Sequence, residues 1–249
     1  DDLAQNVSND NELVFANEQA LTMLNNWKAK NTSSLEAKKP KMIFLNISGG
    51  GLRSALWSIH VMNYLDSISN NKLFKQTQLV TGASGGMIGA AYYREMKHLE
   101  SIDSTYLFDA EQLKRNISKD LLNQLAFSIA TTDMLIRFQS FHDGNYSYTK
   151  DRGWFFEEKL TENLSCFDGK RLQAYEKPEL QSEMPMMIFS PSVVNDGRRM
   201  LISAQPVSYL TKKNTDNFTS SYSSIEDLEF NSLFSGNNSK NIKMTSVLR

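Results

Sequence analysis

Gly82-Ala83-Ser84-Gly85-Gly86 is the pentapeptide with the clearest chemical potential in this chain. Its serine is a hydroxyl nucleophile, and its glycines permit a backbone turn that a Cβ would block. The short apolar run Leu79-Val80-Thr81 precedes it, and a helix-like run, Met87-Ile88-Gly89-Ala90-Ala91-Tyr92-Tyr93, follows. Strand, then Gly-x-Ser-x-Gly, then helix lifts a serine clear of a sheet to the positive end of a helix. The chemistry open to such a serine is attack on a carbonyl carbon. Taken alone, the pentapeptide is equally compatible with a plain glycine-rich β–α turn.

A second glycine cluster stands one β–α unit upstream. Lys41 to Ser48 reads Lys-Met-Ile-Phe-Leu-Asn-Ile-Ser and predicts a strand buried on both faces of a parallel sheet. Gly49-Gly50-Gly51-Leu52-Arg53 follows, and Leu52, Ala55, Leu56, Ile59, Met62 and Leu65 or Asp66 then keep helical spacing. The glycines therefore open a helix at the end of a strand, with N–H groups free to point at an anion. A developing oxyanion is such an anion, and a preorganised donor is worth about 3 kcal/mol of barrier. Two plainer readings are a dinucleotide-type phosphate loop and a tight turn. The first lacks a final glycine, because Ser54 stands there, and no acidic residue follows at a strand end about twenty residues on. Neither accounts for a Gly-x-Ser-x-Gly on the next strand.

Together the two motifs resemble the patatin-like phospholipase family. That family carries a Gly-Gly-Gly-x-Arg type loop, a Gly-x-Ser-x-Gly one β–α unit later, and then an Asp-Gly-Gly or Asp-Gly-Ala with the catalytic aspartate. Gly49-Gly50-Gly51-Leu52-Arg53 and Gly82-Ala83-Ser84-Gly85-Gly86 match the first two; the likeness covers 41–96 and, more weakly, 184–249. Ser54 is a departure, since many relatives have glycine there. The resemblance implies a three-layer α/β/α domain with a mainly parallel central sheet. It implies hydrolysis of a carboxylic ester in a lipid through an acyl-Ser84 intermediate, with a Ser–Asp dyad and no histidine. Gly50 and Gly51 would hold the oxyanion, Gly49 would shape the loop, and Gly85 would add a donor. Arg53 would fix the loop through backbone carbonyls or meet a phosphate head group. No cofactor is implied; the implied partners are a phospholipid or other lipid ester and a peripheral membrane contact.

Three Asp-Gly pairs follow the serine, at Asp143, Asp168 and Asp196, and none has Gly or Ala in third place. Ser190 to Met200 reads as a hairpin turning at Asp196-Gly197. Met244 to Arg249 reads as the start of a later helix. In the family the catalytic Asp-Gly comes after that helix, so the expectation is a chain that ends before its catalytic aspartate; the alternative makes Asp196 the base. A Ser-His-Asp triad would have to use His142, and an acyltransferase His98 or His142, and neither histidine sits in a recognisable motif. A reading of another class is a non-catalytic membrane-associated protein that keeps the fold.

At 249 residues and a net charge of −1, the chain suits one α/β domain. No basic run exceeds Lys38-Lys39 with Lys41 or Lys212-Lys213, so nothing points to nucleic acid. The single Cys166 forbids an internal disulfide and fits a reducing compartment. His60, His98 and His142 have no metal-ligand spacing, so no metal site is expected. No apolar run reaches about 18 residues, so the expected location is cytoplasmic or peripheral to a membrane. The first residue is Asp1, which suggests a truncated N-terminus as well.

Asp10 to Lys30 predicts an amphipathic helix through Leu13, Phe15, Ala20, Leu21, Leu24 and Trp27, and a polar linker ends at Pro40. This divides the chain into an N-terminal helix and linker, 1–40, and a hydrolase domain, 41–249. Residues 102–140 are helical in character, with an apolar stripe of Leu121, Leu122, Leu125, Ala126, Ile129, Met134, Leu135 and Phe138. The stripe suits a cap packed over the site or a surface seated on lipid. Met184 to Ser190 predicts a buried strand, and Asn214 to Ser239 a mobile polar loop.

Overall fold

The computed structural model describes residues 10–32, 39–134, 139–211, 227–234 and 238–249. Helix α1 (Asp10–Asn31) leads. Strand β1 (Ile43–Ile47) runs into α2 (Gly51–Ile68), a short α3 (Leu73–Gln76) into β2 (Thr77–Gly82), and β2 into α4 (Gly85–Ile102). Next come α5 (Ala110–Ile117), α6 (Asn123–Ser128) with a π-helical turn at Ile129–Asp133, the hairpin of β3 (Ser140–Asp143) and β4 (Tyr146–Thr149), and α7 (Arg152–Asn163). The rest comprises α8 (Glu176–Leu180), β5 (Met186–Phe189), β6 (Met200–Leu201), β7 (Leu228–Glu229), α9 (Phe230–Leu233) and α10 (Met244–Leu248).

The central sheet has the order β1-β2-β5, all parallel, with Ile47 beside Gly82 and Gly82 beside Phe189. Parallel strands need crossovers, and helices supply them. Because the strands are parallel, the loops after β1, β2 and β5 emerge at one edge. Val80, Met187 and Phe189 face the main core, with Ala55, Ile59 and Met62 of α2 and Met87, Ala90 and Tyr93 of α4. Met186 and Ile188 face the other way, onto Met23 of α1 and Leu201 and Val207. The result is the α/β/α arrangement that the motifs implied.

Two expectations need correction. Strand β1 is not buried on both faces: its exposure alternates, and Phe44 is 63 % exposed. The cause is its place at the sheet edge, where α1 reaches Leu79 of β2 and β5 but leaves the outer side of β1 open. Helix α1 buries Ala16, Met23 and Trp27, with Ala20 half-buried, while Phe15 and Leu21 face solvent. Its seam therefore runs at i, i+4, i+7, i+11 from Ala16; it keeps Ala20 and Trp27 of the expected stripe and adds Ala16 and Met23 in place of Phe15, Leu21 and Leu24.

Helices α2 and α4 lie unusually close. A Cβ on Gly89 would sit 2.0 Å from the Ala55 carbonyl oxygen, so only glycine lets the two backbones meet there. Asp66 of α2 accepts from Tyr93 Oη at 3.2 Å and pairs with Lys97 at 3.1 Å. Further along α4, Arg94 is buried against Glu179 of α8 at 2.5 Å and also donates to the Pro185 carbonyl at 2.9 Å. These bonds offset part of the cost of burying the charges, although Arg94 Nε and Glu179 Oε2 have no hydrogen-bond partner among the described residues.

The expected hairpin forms. Phe189 and Ile202 exchange backbone hydrogen bonds of 2.9 Å, and Val193 N–H donates to Arg198 O at 2.8 Å around Asp196-Gly197. A helix does begin at Met244, whose side chain is fully buried. Most of Asn214–Ser239 lies outside the described residues; its described part forms β7 and α9 rather than loop alone. Segment 102–134 packs through α5 on α2 and α4 and through α6 on α7, while Ser84 stays exposed, so among the described residues it does not cap the serine. Among the described residues no helix is long and apolar enough to cross a membrane, and no group of His, Cys, Asp and Glu is arranged to hold a metal ion.

Candidate active site

Ser84 occupies the sharp turn between β2 and α4, as the residue that caps α4, and it is exposed. Its backbone sits at φ 62° and ψ −157°. That region is populated almost only by glycine, so a serine there carries strain that the surrounding structure must hold. Two close approaches hold it. A Cβ on Gly85 would lie 2.0 Å from the Gly51 carbonyl oxygen, and one on Gly49 would lie 2.8 Å from Ser84 Cβ and 3.2 Å from its Oγ. The loop after β1 is thus pressed against the Ser84 side chain.

This contact brings two helix N-termini together. Gly50 caps α2 at φ 139°, and Gly51 opens it at φ 63°. The first N–H groups of α2 and α4 have no partner within their helices, and both helices turn their positive ends toward Ser84. Gly50, Gly51 and Gly85 thus stand at the starts of these two helices, next to the serine. Ser54 Oγ donates to the Ser48 carbonyl at 2.8 Å and closes the loop from within α2. Arg53, expected in that role, is exposed and hydrogen-bonds no described residue. In the sequence Ser54 stands out only as a departure from glycine; its hydroxyl, six residues from Ser48, is the signal for this closure.

None of the candidate bases hydrogen-bonds Ser84 Oγ; each is held by other partners or in a turn. Asp143 is held by Arg171 at 2.6 Å, which keeps its carboxyl below the usual range. Asp168 follows the buried Phe167 in a turn. Asp196 is exposed; the Arg198 N–H at 3.0 Å and the Arg198 guanidinium at 2.6 Å hold its carboxyl below the usual range. The glycines after the three aspartates have φ 59°, 65° and 74°, so each pair makes a turn. His98 is buried in α4, where burial lowers its pKa, and His142 is exposed on β3. Among the described residues, no side chain hydrogen-bonds Ser84 Oγ.

The fold and this site define an α/β protein with a serine-bearing strand–turn–helix beside a glycine loop. The family model of patatin-like phospholipase matches residues 45–226, well over half of the chain, and the chain belongs to that family of lipid hydrolases. No curated protein matches. Among solved structures, it is similar to human GIVD cytosolic phospholipase A2 in complex with methyl gamma-linolenyl fluorophosphonate, with 15 % identity and a TM-score of 0.42 over 78 % of this chain and 27 % of that one. A second structure of the same human enzyme with that inhibitor and terbium chloride gives 15 % identity and a TM-score of 0.40, over 78 % and 28 % of the two chains. The chain thus spans under a third of the length of those relatives.

Proposed function

We propose that this protein hydrolyses carboxylic esters of phospholipids or other lipids, through an acyl-Ser84 intermediate. Ser84 Oγ attacks the ester carbonyl while a base takes its proton. The tetrahedral oxyanion is held by the N–H groups of Gly50, Gly51 and Gly85, with Gly49 leaving room beside Oγ. Collapse expels the alcohol, which takes the proton back from the base, and water then deacylates the serine by the same steps in reverse. The base is the aspartate of a Ser–Asp dyad, supplied from outside the described residues; Asp196 serves the hairpin turn, and its lowered pKa makes it a weaker base. Arg53, exposed two residues after Gly51, would meet a phosphate head group. The substrate implies peripheral contact with a membrane, and the lone Cys166 fits a reducing compartment such as the cytoplasm.

The observation that carries this reading is the glycine loop packed against a strained, exposed serine. The test is fluorophosphonate labelling and p-nitrophenyl ester hydrolysis by the protein expressed from its full reading frame. Label is expected on Ser84, with both signals lost in Ser84→Ala and kept in Asp196→Asn. Label on another serine, or wild-type turnover in Ser84→Ala, removes Ser84 as nucleophile; loss in Asp196→Asn makes Asp196 the base.

A further inference from the structure

From Leu121 to Thr132 the chain has no charged residue. The stretch is helical in α6 and continues through the π-helical turn, which the Met134 N–H closes on Ile129 O at 3.2 Å. One side is used by the fold: Leu121 and Ser128 are buried where α6 packs on α7. The other side is open. Leu122 is 58 % exposed, Phe127 68 %, Ile129 41 % and Met134 75 %. A helix apolar on both sides needs cover on both. Eleven residues rise about 16 Å, too short to span a bilayer but long enough to lie in its surface.

The charges at the two ends identify the cover. Asn163, at the end of α7, donates to the Lys119 and Asp120 carbonyls at 3.4 and 3.3 Å, and the π-helical turn also packs on α7. So α6 runs antiparallel to α7, with Lys119 just before the stretch and Lys150 and Arg152 at the start of α7, near its far end. None of these three cations has an ion pair with a described residue, and the Lys150 ammonium lies 4.2 Å over the Trp154 ring. Most neighbouring carboxylates are engaged: Asp120 accepts from the Leu122 and Asn123 N–H groups, Asp151 caps α7, Glu157 pairs with Arg249, and Glu162 with Lys159. Glu158 lacks a partner among the described residues, and Asp133 adds a second carboxylate at the Met134 end of the stretch, so the three cations outnumber these two acids. A second copy across a two-fold axis would set the same free cations against each other. An anionic lipid surface complements both the cations and the apolar side between them.

We propose that the open side of α6 docks on an anionic bilayer, with Leu122, Phe127, Ile129 and Met134 entering the acyl boundary and Lys119, Lys150 and Arg152 meeting head-group phosphates. This rests on the reading of the protein as a lipid hydrolase, whose substrate would lie in that bilayer. The test uses the full-reading-frame protein and vesicles of phosphatidylcholine, with or without phosphatidylserine. A nitrobenzoxadiazole dye on Phe127→Cys should brighten and shift to the blue with phosphatidylserine vesicles; the same dye on Leu21→Cys, exposed on α1 in the opposite layer, should not. Phe127→Ser with Met134→Ser should weaken co-sedimentation by at least about tenfold. Lys119→Gln with Arg152→Gln should weaken it by about tenfold on phosphatidylserine vesicles and little on pure phosphatidylcholine. Turnover of a soluble monomeric ester should be unchanged in all of these variants. An unresponsive dye at position 127, or undiminished sedimentation of the serine variant, overturns the docking surface. So does a dimer in the wild type that the serine variant dissolves. If docking behaves as stated while no variant or wild type cleaves the soluble ester, the hydrolase reading fails and the docking surface stands.

Discussion

Ser84 is where chemistry and stability pull apart. Its φ of 62° with ψ of −157° costs about 1–3 kcal/mol for any residue with a side chain and little for glycine. Ser84→Gly should therefore raise the unfolding free energy by about 1–3 kcal/mol while abolishing probe labelling, whereas Ser84→Ala should abolish labelling with no such gain. Urea unfolding of the three proteins checks this, and a glycine variant no more stable than the alanine one would show that the turn holds no strain. The serine and its glycine loop were legible in the sequence because their roles follow from residue type and spacing. The loop closure by Ser54 was not, because which of two adjacent side chains reaches the Ser48 carbonyl depends on how α2 is rotated as it leaves the loop.

Helix α4 is anchored at its start by the Ser84 turn and at its middle by the buried pair of Arg94 with Glu179. Burial raises the Glu179 carboxyl above its ordinary 4.5, and Arg94 only partly offsets this. Proton binding by this group then favours the folded state just above that value, so its ionisation takes stability away as the pH rises through the window. The pair's worth lies in mutual compensation. Glu179→Ala leaves the Arg94 guanidinium, 2 % exposed, without its counter-charge and should cost about 3–5 kcal/mol. Arg94→Met with Glu179→Leu removes both charges and should cost far less, or nothing. Denaturant midpoints of the two variants decide it; equal losses would mean that the pair contributes by packing and backbone contacts alone. The sequence placed α4 correctly from its apolar run, but a buried Arg and Glu 85 positions apart leave no local trace.

The order of three parallel strands, two crossover helices and a hairpin was readable, since apolar runs and glycine or Asp-Gly turns set it locally. How the layers cover the sheet was not. The open side of β1 and the seam of α1 depend on which surfaces meet, and α1 has apolar residues on more than one face. Through that seam α1 covers one face of the sheet. Trp27 is 4 % exposed and donates through its indole N–H to the Gln76 carbonyl at 3.2 Å; Asn26 donates to Leu180 O, and Ser182 Oγ to Met23 O, both at 2.9 Å. These contacts reach the start of β2 and the end of α8, on both sides of the site in sequence. Trp27→Ala removes a buried aromatic and orphans an acceptor, so it should lower stability by about 3–5 kcal/mol. Because the layer is shared, the loss should appear in a single cooperative transition, seen alike by circular dichroism and by the fluorescence of the remaining Trp57 and Trp154. A separate early transition with an unmoved main one would mean that α1 folds independently of the sheet, and would support the division at Pro40.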